Sequence, residues 1–312
     1  MYLSYERGDS TLPLSIFGFE ALWSPYFFIS LSLVIVAFFL ITVKYRDRFI
    51  GSEPLTKKEG TLFVLSIVLL YIIKGSPIDL MGHLTFSAHM IQMGFCNLVI
   101  PPILIVGVPK WLWKKIISFK GIKPLFRFFT KPLVALILFN GVFSFYHIPI
   151  IFDAVKTDMW LHAGYNTLLF ILAIFMWWPL LNKLDDFQTL NGLRKVGYIF
   201  ADGMLILPAC ALIIFSDKPL YATFSDPRAW AESLSLCVPA TTLSGLKLSG
   251  PEMFTSLSLI NDQQLGGILM KIIQELSYSV VLAKTFIEWY RKEEDEVDPE
   301  PGEYLPPHPI KQ

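Results

Sequence analysis

The sequence predicts an all-α, polytopic membrane protein with seven transmembrane helices, its N-terminus outside and its C-terminus cytoplasmic. Composition is the first observation behind this. The 312 residues are 54% hydrophobic and 15% aromatic, with a mean hydropathy of +0.53, which belongs to the membrane class. Segment length is the second, because ~20 apolar residues cross ~30 Å of hydrocarbon as a helix. Charge placement is the third: the net charge is zero, but Lys and Arg crowd into alternate loops.

The spans are expected near residues 24–43, 60–76, 83–108, 132–149, 160–182, 196–215 and 264–290. The first opens with Leu-Trp-Ser-Pro-Tyr-Phe-Phe at 22–28, rings that suit a membrane–water interface. The second ends with Lys74, which can snorkel, and with the helix breaker Gly75-Ser76-Pro77. Pro101 and Pro102 cannot donate to the helix ladder, so they predict a kink in the third. The fourth stops at His147-Ile148-Pro149. Trp160, Trp177 and Trp178 on the fifth span, with Trp111 and Trp113 before it, read as aromatic belts. Asp202 falls within the sixth span, and Lys271, Glu275 and Lys284 within the seventh.

Basic residues set the orientation. Lys44, Arg46, Arg48, Lys57 and Lys58 separate spans one and two. Lys110, Lys114, Lys115, Lys120, Lys123, Arg127 and Lys131 separate three and four. Lys183, Arg194 and Lys195 follow span five, and Arg291 and Lys292 follow span seven. The other loops hold only Arg7, Lys156, Lys218, Arg228 and Lys247, and the positive-inside rule then places both termini as stated.

Residues 1–290 are expected to form the membrane domain, with an extracytoplasmic loop at about 216–263 that can cap the bundle. Residues 291–312, acidic and proline-rich, are expected to be a disordered cytoplasmic tail. The first residues lack a basic stretch followed by an apolar one, so no cleavable signal peptide is expected. Cys96, Cys210 and Cys237 form no CxxC pair and imply no disulfide framework. The first two read as packing residues and the third as a free thiol. Phosphate-cradling loops, GxSxG elbows and HExxH pairs are absent from the sequence, so neither an enzyme nor a nucleic-acid partner is expected. No inverted repeat is evident, which weakens a transporter reading.

The stretch with most chemistry is Met81–Pro102, apolar yet carrying His83, His89, Met90 and Met93. On one continuous helix these four fall within roughly 120° of a single face. A lipid-facing surface does not normally hold two imidazoles, so that face should look into protein or water. Topology adds His147 at the end of span four and His162 at the start of span five, all at the outer side. Imidazoles and thioethers at one depth suit a soft or borderline metal ion, whereas ordinary packing and headgroup contacts account for any one of them singly. Asp153 lies shortly after His147. Asp262, at the start of span seven, reads as that helix's cap or as an oxygen ligand. Lys271 and Glu275, four apart, can pair on one helix face. Asp202 has no cation within a turn.

Four segments carry a resemblance to a known family: GHLTFSAHMIQMGFCNLVIPPILIVGVP, YHIPIIFDAVKTDMWLHAGYNTLLFILAIFMWWPLL, SDKPLY at 216–221, and NDQQLGGILMK. Together they resemble the CtaG-type cytochrome c oxidase assembly factors, seven-span proteins of Gram-positive bacteria associated with the caa3-type oxidase. The resemblance implies a role in assembling or stabilising that oxidase in the bacterial cell membrane, in contact with its subunits, through handling of copper. On the reading of the residues above, the copper site would be His83, His89, Met90, Met93, His147 and His162. The chain departs from the family pattern at Met93, where many relatives carry histidine. It departs again at Tyr165 and Asn166, where many carry an acidic residue and a histidine. Two other readings stand beside this one: a copper or small-solute transporter using Asp202, Lys271 and Glu275, and a haem-binding redox protein using paired histidines.

Overall fold

The computed structural model describes residues 12–187, 190–246 and 248–297. These residues are helices and their connections, with no strand among them. A 3-10 turn at Leu14–Phe17 and the short helix α1 (Phe19–Leu22) lead into α2 (Pro25–Phe39), which a π-turn extends to Lys44. α3 (Lys57–Gly75) starts on a capping box: the Glu59 N–H donates to the Thr56 hydroxyl, and the Thr56 N–H donates to the Glu59 carboxylate. Ser76-Pro77 ends it as expected, and the chain bends by 46° into α4 (Pro77–Leu84). Lys74 pairs with Asp79 across the bend. Gln92 Nε2 donates there to the Ile73 and Ile78 carbonyls, at 3.0 and 3.1 Å, and to Asp79. These contacts satisfy carbonyls that the break leaves bare.

Thr85 is extended (φ −133°, ψ 145°), and α5 (Phe86–Gly94) begins directly after it. The expected third span is therefore broken. His83 continues the bent second span, while His89 lies on the third. Asp262 provides the cause: it accepts from the Phe86 N–H at 2.7 Å, the Ser87 N–H at 3.3 Å and the Ser87 hydroxyl at 2.5 Å. The sequence assigns this carboxylate to its own helix. It caps α5 instead, across an interface.

A π-turn at Phe95–Val99 precedes α6 (Ile100–Gly107), which begins with the two prolines. Pro101 has no N–H for the Asn97 carbonyl four residues back, and the Trp177 indole donates to that oxygen at 3.1 Å. This corrects the aromatic-belt reading of Trp177 and Trp178, which are 0% and 1% exposed. Trp160, at 78% exposed, fits the belt.

α7 (Lys110–Ile117) and α8 (Ile122–Phe129) follow, and the chain turns by 79° from α8 into α9 (Pro132–Tyr146). Then come α10 (Pro149–Thr157), α11 (Met159–Leu181) and α12 (Gly192–Ile214). Three short helices, α13 (Ala222–Ser225), α14 (Pro227–Leu234) and α15 (Ala240–Ser244), precede the long α16 (Leu259–Val297). α16 runs past residue 290, so the first part of the expected tail is helix; residues 298–312 lie outside the described residues.

Among the described residues, five helices are long and apolar enough to cross a membrane: Pro25–Lys44, Phe86–Gly107, α11, α12 and Leu259–Arg291. The count reaches seven when the bent pairs α3–α4 and α8–α9 are each one span. Packing runs in a closed circuit, from α5 to α16, α12, α9, α11 and back through α6, with α3 and then α2 outside it. The circuit encloses an apolar core that includes Phe139, Phe143, Ala173, Trp177, Ile206 and Met270. At one end Lys183 pairs with Glu59 and Lys110 with Asp185, both at 3.0 Å. At the other end α13 and α14 close over α4 and α10, and a second core of Leu80, Leu84, Trp230, Leu234 and Val238 holds them down. The loop read from the sequence as a cap is one.

Candidate functional site

The histidines lie beneath this cap. His83, from α4, is buried, and its Nδ1–H donates to the Ser233 carbonyl of α14 at 3.1 Å. The half-buried His162, in the first turn of α11, brings its ring centroid within 5.3 Å of His83. His89, from α5, is 2% exposed and edge-on to Phe152 at 5.1 Å. His147 follows α9 directly and is 1% exposed; its Nδ1–H donates to Phe143 O at 2.8 Å. Its ring also reaches Phe152, at 6.2 Å. Tyr146 contacts both His89 and His147, at 6.0 and 5.1 Å. Four helix ends therefore meet at one place, a convergence that sequence spacing alone leaves open.

The hydrogen bonds set the chemistry. An imidazole that donates from Nδ1 to a carbonyl must carry its lone pair on Nε2, the arrangement of metal-binding histidines. Among the described residues, His147 Nε2 is buried without a partner, as are His89 Nε2 and His162 Nδ1. Imidazole suits copper among the first-row metals, so donor type and tautomer fit a copper ion. Among the described residues, however, no group of three or more His, Cys, Asp or Glu is arranged to hold a metal. At most pairs of these nitrogens are at hand in this arrangement of the helices.

Lys156 is the residue that the sequence reading misses. It counts there as one of five scattered basic residues, yet in α10 it is 0% exposed. Its Nζ donates to the Gly82 carbonyl at 3.0 Å and lies 5.4 Å from the Phe224 ring centre. Burial, reinforced by Lys74, lowers its pKa from 10.5 to about 7. The amphipathic pattern of Pro149–Thr157 was the available signal, since it places Lys156 on the turn shared with buried Phe152 and Val155. Cys237, in the cap, lies 3.8 Å from Asp79 Oδ2, and burial raises its thiol to about 12.

The other residues singled out in the sequence sort by contact. Met90 packs against Gly266 of α16, where an added Cβ would come within 3.1 Å of Met90 Cγ. Met90 and Met93 both belong to the bundle core. Asp153 accepts from the Ala222 and Thr223 N–H groups, each at 3.0 Å, and from the Thr223 hydroxyl at 2.8 Å, anchoring α13. Asp202 is buried between Asn140 Nδ2 at 2.5 Å and the Tyr278 hydroxyl at 2.6 Å. Lys271 and Glu275 pair at 2.7 Å as expected, on a partly exposed face with side chains 31% and 61% accessible.

The helical circuit, its crossing-length helices and the capped histidines define a multi-pass membrane protein with a buried imidazole cluster at one end. The chain belongs to the cytochrome c oxidase caa3 assembly factor family, whose model matches residues 36–292. That range takes in every histidine of the cluster, the cap and most of α16. No curated protein and no solved structure matches the chain.

Proposed function

We propose that this protein serves the assembly of a caa3-type cytochrome c oxidase without being an enzyme, and that it handles copper as cargo at the outer face of the bacterial cell membrane. Family membership over residues 36–292 supports the assembly role and association with the oxidase. The copper reading rests chiefly on His147, whose Nδ1–H is taken by a backbone carbonyl while its Nε2 is bare and buried. In this reading His89 and His147 offer Nε2 lone pairs to the ion, and His83 and His162 form a second imidazole pair beside them. Lys156, when it carries its proton, repels a divalent ion more than a monovalent one, because repulsion scales with the product of charges. Cuprous ion is accordingly the cargo that fits best. Seven spans, with the lysine-rich end cytoplasmic and the histidines outside, complete the proposal; the charge alternation of the loops supports it.

A deletion strain scored for oxidase activity and oxidase subunit levels tests the assembly role. Both should fall and return on complementation, whereas normal activity at low copper overturns the role. Copper content of the purified protein tests the cargo separately. The wild type should carry copper that His89→Ala, His147→Ala lacks; equal, negligible metal in both removes copper and leaves assembly standing.

A further inference from the structure

On the flank of the bundle away from the histidines, α3, α6 and α16 enclose an open groove of about 510 Å³. Its walls are apolar: Val99, Pro102, Ile103 and Val106 on one side, Ile273 and Val280 on the other. From Ile273 to Lys284 the groove follows about 16 Å of helix, roughly half of the ~30 Å hydrocarbon layer and so one leaflet. Two lysines stand at the end of the groove remote from the cap. Lys58 lies in the first turn of α3 and Lys284 in the second half of α16, and both line the groove.

Their charge is largely uncompensated. Glu59, beside Lys58, is held by Thr56 and by Lys183 at 3.0 Å, and among the described residues no carboxylate pairs with Lys58. Lys284 meets Glu288 at 3.6 Å with both side chains about half exposed, a weak surface pair. An apolar slot one leaflet deep, with two ammonium groups at its mouth, is complementary to one kind of molecule.

We propose that the groove binds an anionic phospholipid, its acyl chain along α6 and α16 and its phosphodiester between Lys58 and Lys284. The selectivity is electrostatic. A phosphatidylcholine headgroup carries its own cation beside the phosphate, whereas phosphatidylglycerol leaves a net negative charge for the two lysines. A transmembrane helix of a partner would use the same apolar walls but would not need both cations.

Native mass spectrometry of the full chain in detergent, titrated with phosphatidylglycerol and phosphatidylcholine of equal chain length, tests this. The wild type should retain phosphatidylglycerol with about tenfold preference, given the attraction of each lysine for an anionic headgroup. Lys58→Gln, Lys284→Gln should bring the two lipids close to parity. Lys114→Gln, Lys115→Gln, which removes exposed charges of α7 outside the groove, should keep the preference. Equal retention by the wild type, or undiminished preference in the Lys58/Lys284 variant, overturns the proposal. A photo-crosslinker at Ile103 in native membranes should label lipid; predominant labelling of another protein overturns it in favour of helix docking.

Discussion

A lysine with no exposed surface is pushed toward its neutral form, and Lys156 is so placed beside His83, His89 and His162. Its pKa falls from 10.5 to about 7, so between those values the unfolded chain binds more protons than the folded one. Stability therefore rises with pH across that window, by up to about 1.4 kcal/mol per unit. Below pH 7 both states carry the proton and the contribution is flat. Cys237, raised from 9.0 to about 12, acts in the opposite direction above pH 9. Thermal midpoints of the wild type and Lys156→Met from pH 7 to 9 isolate the effect. The wild type should gain stability relative to the variant as pH rises; a pH-independent difference refutes the assignment. The sequence shows Lys156 only as a loop charge, because its burial depends on the Gly82 carbonyl and the Phe224 ring, contacts 74 and 68 residues away.

The helices were legible where their causes are local. The span placed at 160–182 is Met159–Leu181, and the breaks read at 75–77 and 147–149 occur there because proline enforces them. The break at Thr85 was not legible, since its cap is Asp262 on another helix. Nor were the inward tryptophans, since the oxygen that Trp177 satisfies is bare only because Pro101 lies four residues beyond it. Asp262→Ala should lower stability by about 1–3 kcal/mol, the cost of buried N–H groups left without an acceptor. Asp262→Asn should cost less, and thermal unfolding in detergent compares the two. A pair of glycines tests the packing of α3 on α6. A Cβ at Gly107 would lie 2.5 Å from the Phe63 backbone nitrogen, whereas one at Gly141 meets nothing within 4 Å. Gly107→Ala should therefore destabilise clearly, while Gly141→Ala should be neutral or gain up to about 1 kcal/mol from helix propensity. Similar midpoints for both would show that α3 and α6 separate freely.

Across the whole molecule, the cap has a small core of its own around Trp230, while Tyr221 and Phe224 at its start are built into the core of the circuit. The circuit was foreseeable as a bundle from hydropathy, but the order of contacts around it was not, because apolar faces do not name their neighbours. The cap is the part expected to open. Trp230, fully buried, packs in the cap core, and its indole N–H donates to the Leu84 carbonyl at 3.3 Å. Trp230→Ala should cost about 3–5 kcal/mol of local stability. Hydrogen exchange should rise over residues 222–246 while α11 and α12 keep their protection. Uniform loss of protection throughout would mean that cap and circuit form one cooperative unit.

The bond from the His83 imidazole to the Ser233 carbonyl and that from the Trp230 indole to the Leu84 carbonyl tie the cap to α4. Whatever coordinates the imidazoles must wait for those ties to part. Its observed association rate should thus level off at high concentration, at the opening frequency of the cap, rather than climb in proportion to the amount supplied. On the copper reading proposed above, a capped site of this kind would work as a timed exchange, in which an ion once enclosed is shielded from competing chelators until the next opening.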